Sequence, residues 1–224
     1  MIPLRSTERI HSKTIVTGVF IALNVLVFFF QVSLNRAGLT LFVETFGVIP
    51  DAISGRLYTL LTSMFLHGGW MHLIGNMLFL WVFGRNVEDL IGSARYAGFY
   101  VLCGLAAAVL QVIISPYSRV PTIGASGAIA GVMGAYLIKF PRARIVTLVP
   151  IFVFITTMEI PAALMLLWWF AIQFASGLGS LATTNYTGGG VAWFAHVGGF
   201  VAGMLLIRLF PARRPKWRAW YESD

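Results

Sequence analysis

Ser126, in Gly124-Ala125-Ser126-Gly127, and His196, in Ala195-His196-Val197-Gly198-Gly199, are polar residues set in two late apolar stretches of the chain. A polar side chain is costly to bury in lipid, so its default reading there is functional. A hydroxyl is a weak nucleophile until a positioned base takes its proton, and His196 is the only histidine on the two C-terminal apolar segments. The pair points to acyl-transfer chemistry inside a membrane. Glycine spacing around Ser126 would by itself fit a packing motif. An imidazole on a small-residue helix, however, has no packing advantage over Ala or Leu.

Hydrolysis also needs donors for a developing oxyanion, each worth about 3 to 4 kcal/mol. His72 and Asn76 are four residues apart, hence on one helical face, with Gly75 between them to admit a neighbour. The backbone amide of Ser126, at a helix N-terminus, is a third donor, and Gly124 in the turn before it belongs to the same support. Interhelical hydrogen-bond glue is the competing reading of His72 and Asn76. His67 falls off their face and is expected to hold the loop entry. A third, acidic member is hard to find: Glu88 lies twelve residues beyond Asn76, about 18 Å along a helix, and Asp51, Glu44 and Glu159 fall elsewhere. The expectation is a Ser-His dyad.

A metal centre is the sharpest rival, since His67, His72 and His196 could meet. There is no H-E-x-x-H pair and no carboxylate on that face, and zinc would leave Ser126 unexplained. No metal and no cofactor are expected. Cys103, the single cysteine, lies in an apolar segment and reads as packing.

The elements that must position these residues follow from composition. Of 224 residues, 58% are hydrophobic and 11% charged, against about 25% charged in soluble domains. Six apolar spans are expected: Thr14 to Val32, Trp70 to Val87, Tyr96 to Ser115, Ser126 to Phe140, Pro161 to Leu178 and Val191 to Phe210. The fold class is an all-α polytopic membrane protein in which residues 14–210 form the membrane domain between flanks 1–13 and 211–224. The first span is too long for the h-region of a signal peptide and is expected to stay as an anchor. The net charge of +8 raises the question of nucleic acid. The cations instead sit at span ends, with only Arg36, Arg56 and Arg119 on the side opposite the rest. That is a topology signal with cytoplasmic termini, and no nucleic-acid partner is expected.

The fourth span is short, about 22 Å of helix against a hydrocarbon core of about 30 Å. Residues 121–125 must then descend as irregular backbone, which lipid tolerates only where it is buried in protein or lines a wet cavity. Ser126 is expected on the floor of a pocket open to the exterior. Gly127, Gly131 and Ala135 form a small-residue stripe, as do Ala195, Gly199 and Gly203, and such stripes let helix backbones approach closely. Residues 33–69 read as a folded external loop, 144–160 as a segment at the cytoplasmic interface, and 176–190 as an external cap. Pro161 suits the first turn of the fifth helix.

With these residues assembled, the chain resembles the rhomboid family of intramembrane serine proteases. The matching pieces are His67-Gly68-Gly69-Trp70-Met71-His72-Leu73-Ile74-Gly75-Asn76, Gly84 with Glu88 and Gly92, Gly124-Ala125-Ser126-Gly127, and Ala195-His196 with Gly199 and Gly203. The resemblance implies a six-helix bundle with a recessed fourth helix, Ser126 as nucleophile and His196 as base and acid. It places His72, Asn76 and the Ser126 amide around the oxyanion and makes Glu88, Gly84 and Gly92 structural. It implies transmembrane-helix protein substrates in the lipid bilayer and, with so few spans, a prokaryotic plasma-membrane location. A related chain that binds membrane clients without cutting them is the alternative, though such chains typically lose the serine or the histidine. A transporter with a histidine relay would need ionisable groups spread across the bilayer. Two positions depart from the family's pattern. Ala130 stands where some members stack an aromatic ring on the histidine, so something else must orient His196, and Tyr58-Thr59 replaces a Trp-Arg pair in the first loop.

Overall fold

The computed structural model describes residues 2–151, 154–182 and 192–213. Strand β1 (Ile2–Ser6) leads into α1 (Ile15–Ser33), an almost wholly apolar helix, and α2 (Arg36–Phe46) follows. The Asn35 side chain caps α2 by accepting from the Gly38 amide at 2.8 Å. The loop expected at residues 33–69 is thus partly helical, and it continues through a 3-10 turn at Pro50–Gly55, the short α3 (Thr59–Thr62) and a second turn at Ser63–Phe65.

Helix α4 (Trp70–Phe79) runs through a π-turn at Leu80–Gly84 into α5 (Arg85–Ile91) with helical backbone at both joints. Gly92, at φ 86°, turns the chain into α6 (Ser93–Ile114). Then come α7 (Ser126–Lys139), β2 (Arg144–Ile151), β3 (Phe154–Pro161), α8 (Ala162–Ala182) and α9 (Trp193–Leu206), which ends in a 3-10 turn at Ile207–Leu209. Among the described residues, three helices are long and apolar enough to cross a membrane: Ile15–Ser33, Ser93–Ile114 and Ala162–Gly179. Helix α7 and the segment Trp193–Leu209 are apolar but shorter.

One region departs from an all-helical chain. Residues 144–160, expected as a segment at the interface rather than a continuous span, form a β-hairpin whose inner strand also pairs with β1 in an antiparallel sheet of order β1-β2-β3. The reason is legible in retrospect: β2 is rich in β-branched residues, and its alternate side chains Ile145, Thr147 and Val149 are buried. Pro161 ends β3, and α8 starts one residue later, so this proline precedes the helix rather than entering its first turn. A hydroxyl pair, Ser6 Oγ and Tyr136 OH at 2.5 Å, ties the sheet to the last turns of α7. The part of the expected cap at 183–190 lies outside the described residues.

Glu88 holds the start of α1 in place. It is 1% exposed. One carboxylate oxygen accepts from the Val16 amide (2.8 Å) and Ser93 Oγ (2.6 Å), the other from the amide (2.8 Å) and hydroxyl (2.7 Å) of Thr17. Those amides are among the first of the helix, which have no intrahelical acceptor, so the carboxylate joins α5, α6 and α1 at one point.

Candidate active site

Ser126 is the first residue of α7. Its amide has no acceptor within the helix and sits where the helix carries partial positive charge. The approach, residues 121–125, is irregular backbone fastened to the first loop. Val48 and Thr122 exchange backbone hydrogen bonds of 3.0 and 2.7 Å, and the Gly124 amide donates to the Ser63 carbonyl at 2.9 Å. Gly124 has φ 126°, in the region that favours glycine. A Cβ there would lie 2.9 Å from Cε1 and Nε2 of His72 and 3.6 Å from Ser126 Oγ. The missing side chain therefore leaves open the space between that imidazole and the serine.

Helices α7 and α9 pack with their backbones in contact. A Cβ on Gly199 would run into the Gly127 carbonyl, one on Gly203 into the Gly131 carbonyl, and one on Gly134 into the Phe200 carbonyl. The two small-residue stripes thus face each other. Across this seam Ser126 Oγ lies 2.7 Å from His196 Nε2, close enough for the hydroxyl to donate to the ring. On the far side of the ring, Nδ1 is 2.6 Å from Oε1 of Gln173 on α8. Trp169, one turn earlier on α8, lies against the same imidazole with ring centres 5.8 Å apart and planes 39° apart. Both His196 and Gln173 are buried.

The remaining polar groups come from α4 and the loop before it. The Gly68 amide donates to His72 Nδ1 at 3.3 Å, which leaves the ring proton on Nε2, the nitrogen beside Gly124. Asn76 donates one amide hydrogen to His67 Nε2 at 3.0 Å and has a second to offer. His67, expected to stand apart from this face, instead orients Asn76. Its backbone is clamped by Gln31, which accepts from the His67 amide at 2.9 Å and donates to its carbonyl at 3.1 Å. Burial, reinforced by the neighbouring His72, lowers the His67 pKa to about 4. The ring is therefore neutral near pH 7 and able to accept from Asn76.

Ser126, His196, His72, Asn76 and Gly124 all line one cavity of about 940 Å³, which Gln173 also borders. The five residues singled out from the sequence are brought together. Among the described residues, no Asp or Glu lines this cavity. The metal alternative needs His67, His72 and His196 in one cluster, and no such group of three forms among the described residues. Gln173 and Trp169 were not anticipated. The signal for Gln173 was available, because a buried polar side chain in an apolar segment is the criterion that singled out Ser126 and His196.

The family model for the rhomboid domain matches residues 54–213 of the chain. Rhomboid protease GluP of Bacillus subtilis is 36% identical over 129 residues, 57% of this chain and 25% of that protein. Rhomboid protein 1, mitochondrial, of Saccharomyces cerevisiae is 30% identical over 159 residues, 69% of this chain and 42% of that one. Inactive rhomboid protein 1 of Drosophila melanogaster is 34% identical over 82 residues, 37% of this chain and 6% of that protein. The chain spans less than half the length of each of these relatives.

Proposed function

Because the chain belongs to the rhomboid family, we propose that it is an intramembrane serine endopeptidase that cuts transmembrane-helix proteins through a dyad of Ser126 and His196. The observation that carries this reading is the 2.7 Å contact between Ser126 Oγ and His196 Nε2 at the edge of an open cavity. His196 Nε2 takes the hydroxyl proton as Oγ attacks a peptide carbonyl. The oxyanion that forms is met by Nε2–H of His72, the free amide hydrogen of Asn76 and the backbone amide of Ser126. Nε2–H of His196 then protonates the leaving amine, and the acyl-enzyme is released by water that His196 activates in turn. No step calls on a cofactor or metal.

The surrounding fold suits that chemistry. In this reading α1, the continuous path α4 to α5, α6, α7, α8 and α9 are six spans, and residues 14–210 are the membrane domain. The 14 residues of α7 make about 21 Å of helix, so Ser126 sits below the external surface. Cations at the span ends support cytoplasmic termini with the cavity opening outward, and in this reading the membrane is a plasma membrane. A client-binding role without cleavage is raised by the Drosophila relative named inactive. The retained and mutually bonded Ser126 and His196 weigh against it.

The test is cleavage of a fluorescent transmembrane-segment substrate by purified protein in liposomes, with Ser126→Ala and His196→Ala compared at equal folded fraction. Loss of turnover by about 10³-fold or more in both variants is expected. Turnover that survives Ser126→Ala, or a wild type that binds such helices and cuts none of a broad panel, overturns the reading.

A further inference from the structure

We propose that Gln173 is the positioning residue of His196. Its amide oxygen takes the proton on Nδ1, which leaves Nε2 unprotonated and aimed at Ser126. The inference rests on the dyad reading above and supplies what that reading lacks, a group that sets the tautomer and plane of the base.

Geometry and chemistry agree on the assignment. A neutral imidazole carries its one proton on either nitrogen, and only the form with Nδ1–H can accept from the serine hydroxyl through Nε2. The 2.6 Å separation between Nδ1 and Gln173 Oε1 selects that form. The opposite form would place a hydrogen on Nε2, facing Ser126 Oγ at 2.7 Å, where the hydroxyl could no longer hand over its proton. Apart from the Ser126 hydroxyl itself, helix α7 brings no hydrogen-bonding side chain to the ring. Four residues after the nucleophile it presents Ala130, fully buried and without a polar atom.

Helix α8 supplies both restraints. Gln173 fixes the rotation of the imidazole in its plane, and Trp169, four residues earlier and so on the same face, limits its tilt. The edge of Trp193 closes another side, with ring centres 6.4 Å from His196 at 88°. An amide is the polar group suited to this place, because a carboxylate in an apolar span would add the cost of burying a charge. Gln173 is 7% exposed and His196 9%, so little water reaches Nδ1 to substitute for the amide. A consequence follows for the enzyme as a whole. The seam between α7 and α9 sets the distance from nucleophile to base, but the base is in its working tautomer only while α8 keeps its seat.

The experiment combines kinetics with the nitrogen spectrum of the ring. Protein labelled with 15N-histidine in bilayers, at alkaline pH where imidazoles are neutral, is expected to show His196 with a pyrrole-type Nδ1 and a pyridine-type Nε2. Among four histidines the signal is identified by its loss in His196→Ala. Gln173→Met, close in shape but without a strong acceptor, is expected to mix the tautomers and lower kcat by about 10- to 100-fold with KM little changed. Gln173→Glu retains an acceptor and, compared at equal folded fraction because the buried charge costs stability, is expected to restore the Nδ1–H form and raise kcat well above that of Gln173→Met, which a merely space-filling role would not require. A wild-type spectrum with the proton on Nε2, or Gln173→Met with unchanged tautomer and kcat, overturns the proposal. If the wild type cleaves nothing, the dyad reading fails on its own, and the wild-type spectrum still decides the role of Gln173.

Discussion

Replacing Gly199 by alanine tests whether the seam between α7 and α9 sets the reacting geometry. The added methyl overlaps the Gly127 carbonyl and lies 3.4 Å from the Ala107 side chain on α6, so it has backbone on one side and a third helix on another. Carbon and carbonyl oxygen ordinarily approach no closer than about 3.3 Å, and the two helix backbones must therefore part by about 1 Å or more. Gly127 adjoins the proposed nucleophile, and Gly199 lies less than one turn beyond His196. The displacement thus arises beside both reacting groups and cannot be absorbed at a distance.

The Ser126 to His196 contact of 2.7 Å has less than about 1 Å of slack before it ceases to be a hydrogen bond. A misplacement of that size costs about 10²-fold in rate, so kcat is expected to fall by about 100-fold. Overpacking also destabilises by about 1–3 kcal/mol, which a lowered thermal midpoint would report separately. The assay is turnover of the fluorescent substrate at saturation, normalised to folded protein, together with the rate at which a fluorophosphonate labels Ser126. Gly98→Ala on α6 is the control, since a Cβ there meets nothing within 4 Å, and it is expected to behave as wild type. Gly199→Ala with kcat and labelling within about threefold of wild type would refute the reasoning, because the helices would have absorbed the methyl without moving the pair.

Two further substitutions separate site from scaffold. Glu88→Gln turns one of two accepting oxygens, each holding two donors, into an amide that itself donates. It is expected to lower stability by about 2–3 kcal/mol while leaving kcat of the folded fraction unchanged, and an unaltered thermal midpoint would contradict the capping role. Gly124→Ala forces a left-handed backbone on a residue with a Cβ, at about 1–2 kcal/mol, and sets a methyl 2.9 Å from His72. Turnover is expected to drop at least about tenfold with KM nearly unchanged. Undiminished kcat would remove His72 from the oxyanion site.

The parts legible in the sequence share a cause. Ser126, His196, His72 and Asn76 are polar residues in apolar surroundings, and the glycine stripes at 127, 131, 199 and 203 have a spacing that only close helix contact explains. Both signals are local in the chain, and the backbone contacts at Gly199 and Gly203 are the close approach that the stripes predict. The hairpin at 144–161 was missed because it lies between two apolar helices, where a long apolar run reads as interfacial. Its alternation of buried Ile145, Thr147 and Val149 emerges only once pairing with β1 gives the strand an inside. Asn76 and His67 are nine residues apart, off a shared helical face. They meet because Gln31 on α1 pins the loop backbone, a contact between distant parts of the chain that no periodicity encodes.

Gln173 shows where this kind of reading stops. Its type was informative, but its partner depended on the rotation of α8, and an almost uniformly apolar helix leaves that rotation unspecified by pattern. In lipid, where no hydrophobic effect presses one helix on another, packing and a few polar contacts decide such rotations. The α7 to α9 seam uses glycines, which leave no side-chain slack and suit a separation that must hold to a few tenths of an ångström. The α8 to α9 contact uses rings and one amide, which orient without bringing backbones together. The proposed nucleophile and base are therefore fixed by a rigid seam, while the state of the base is set by a helix bound more by side chains than by backbone. A disturbance of α8 should then silence the site without moving Ser126, a pattern opposite to that expected of Gly199→Ala.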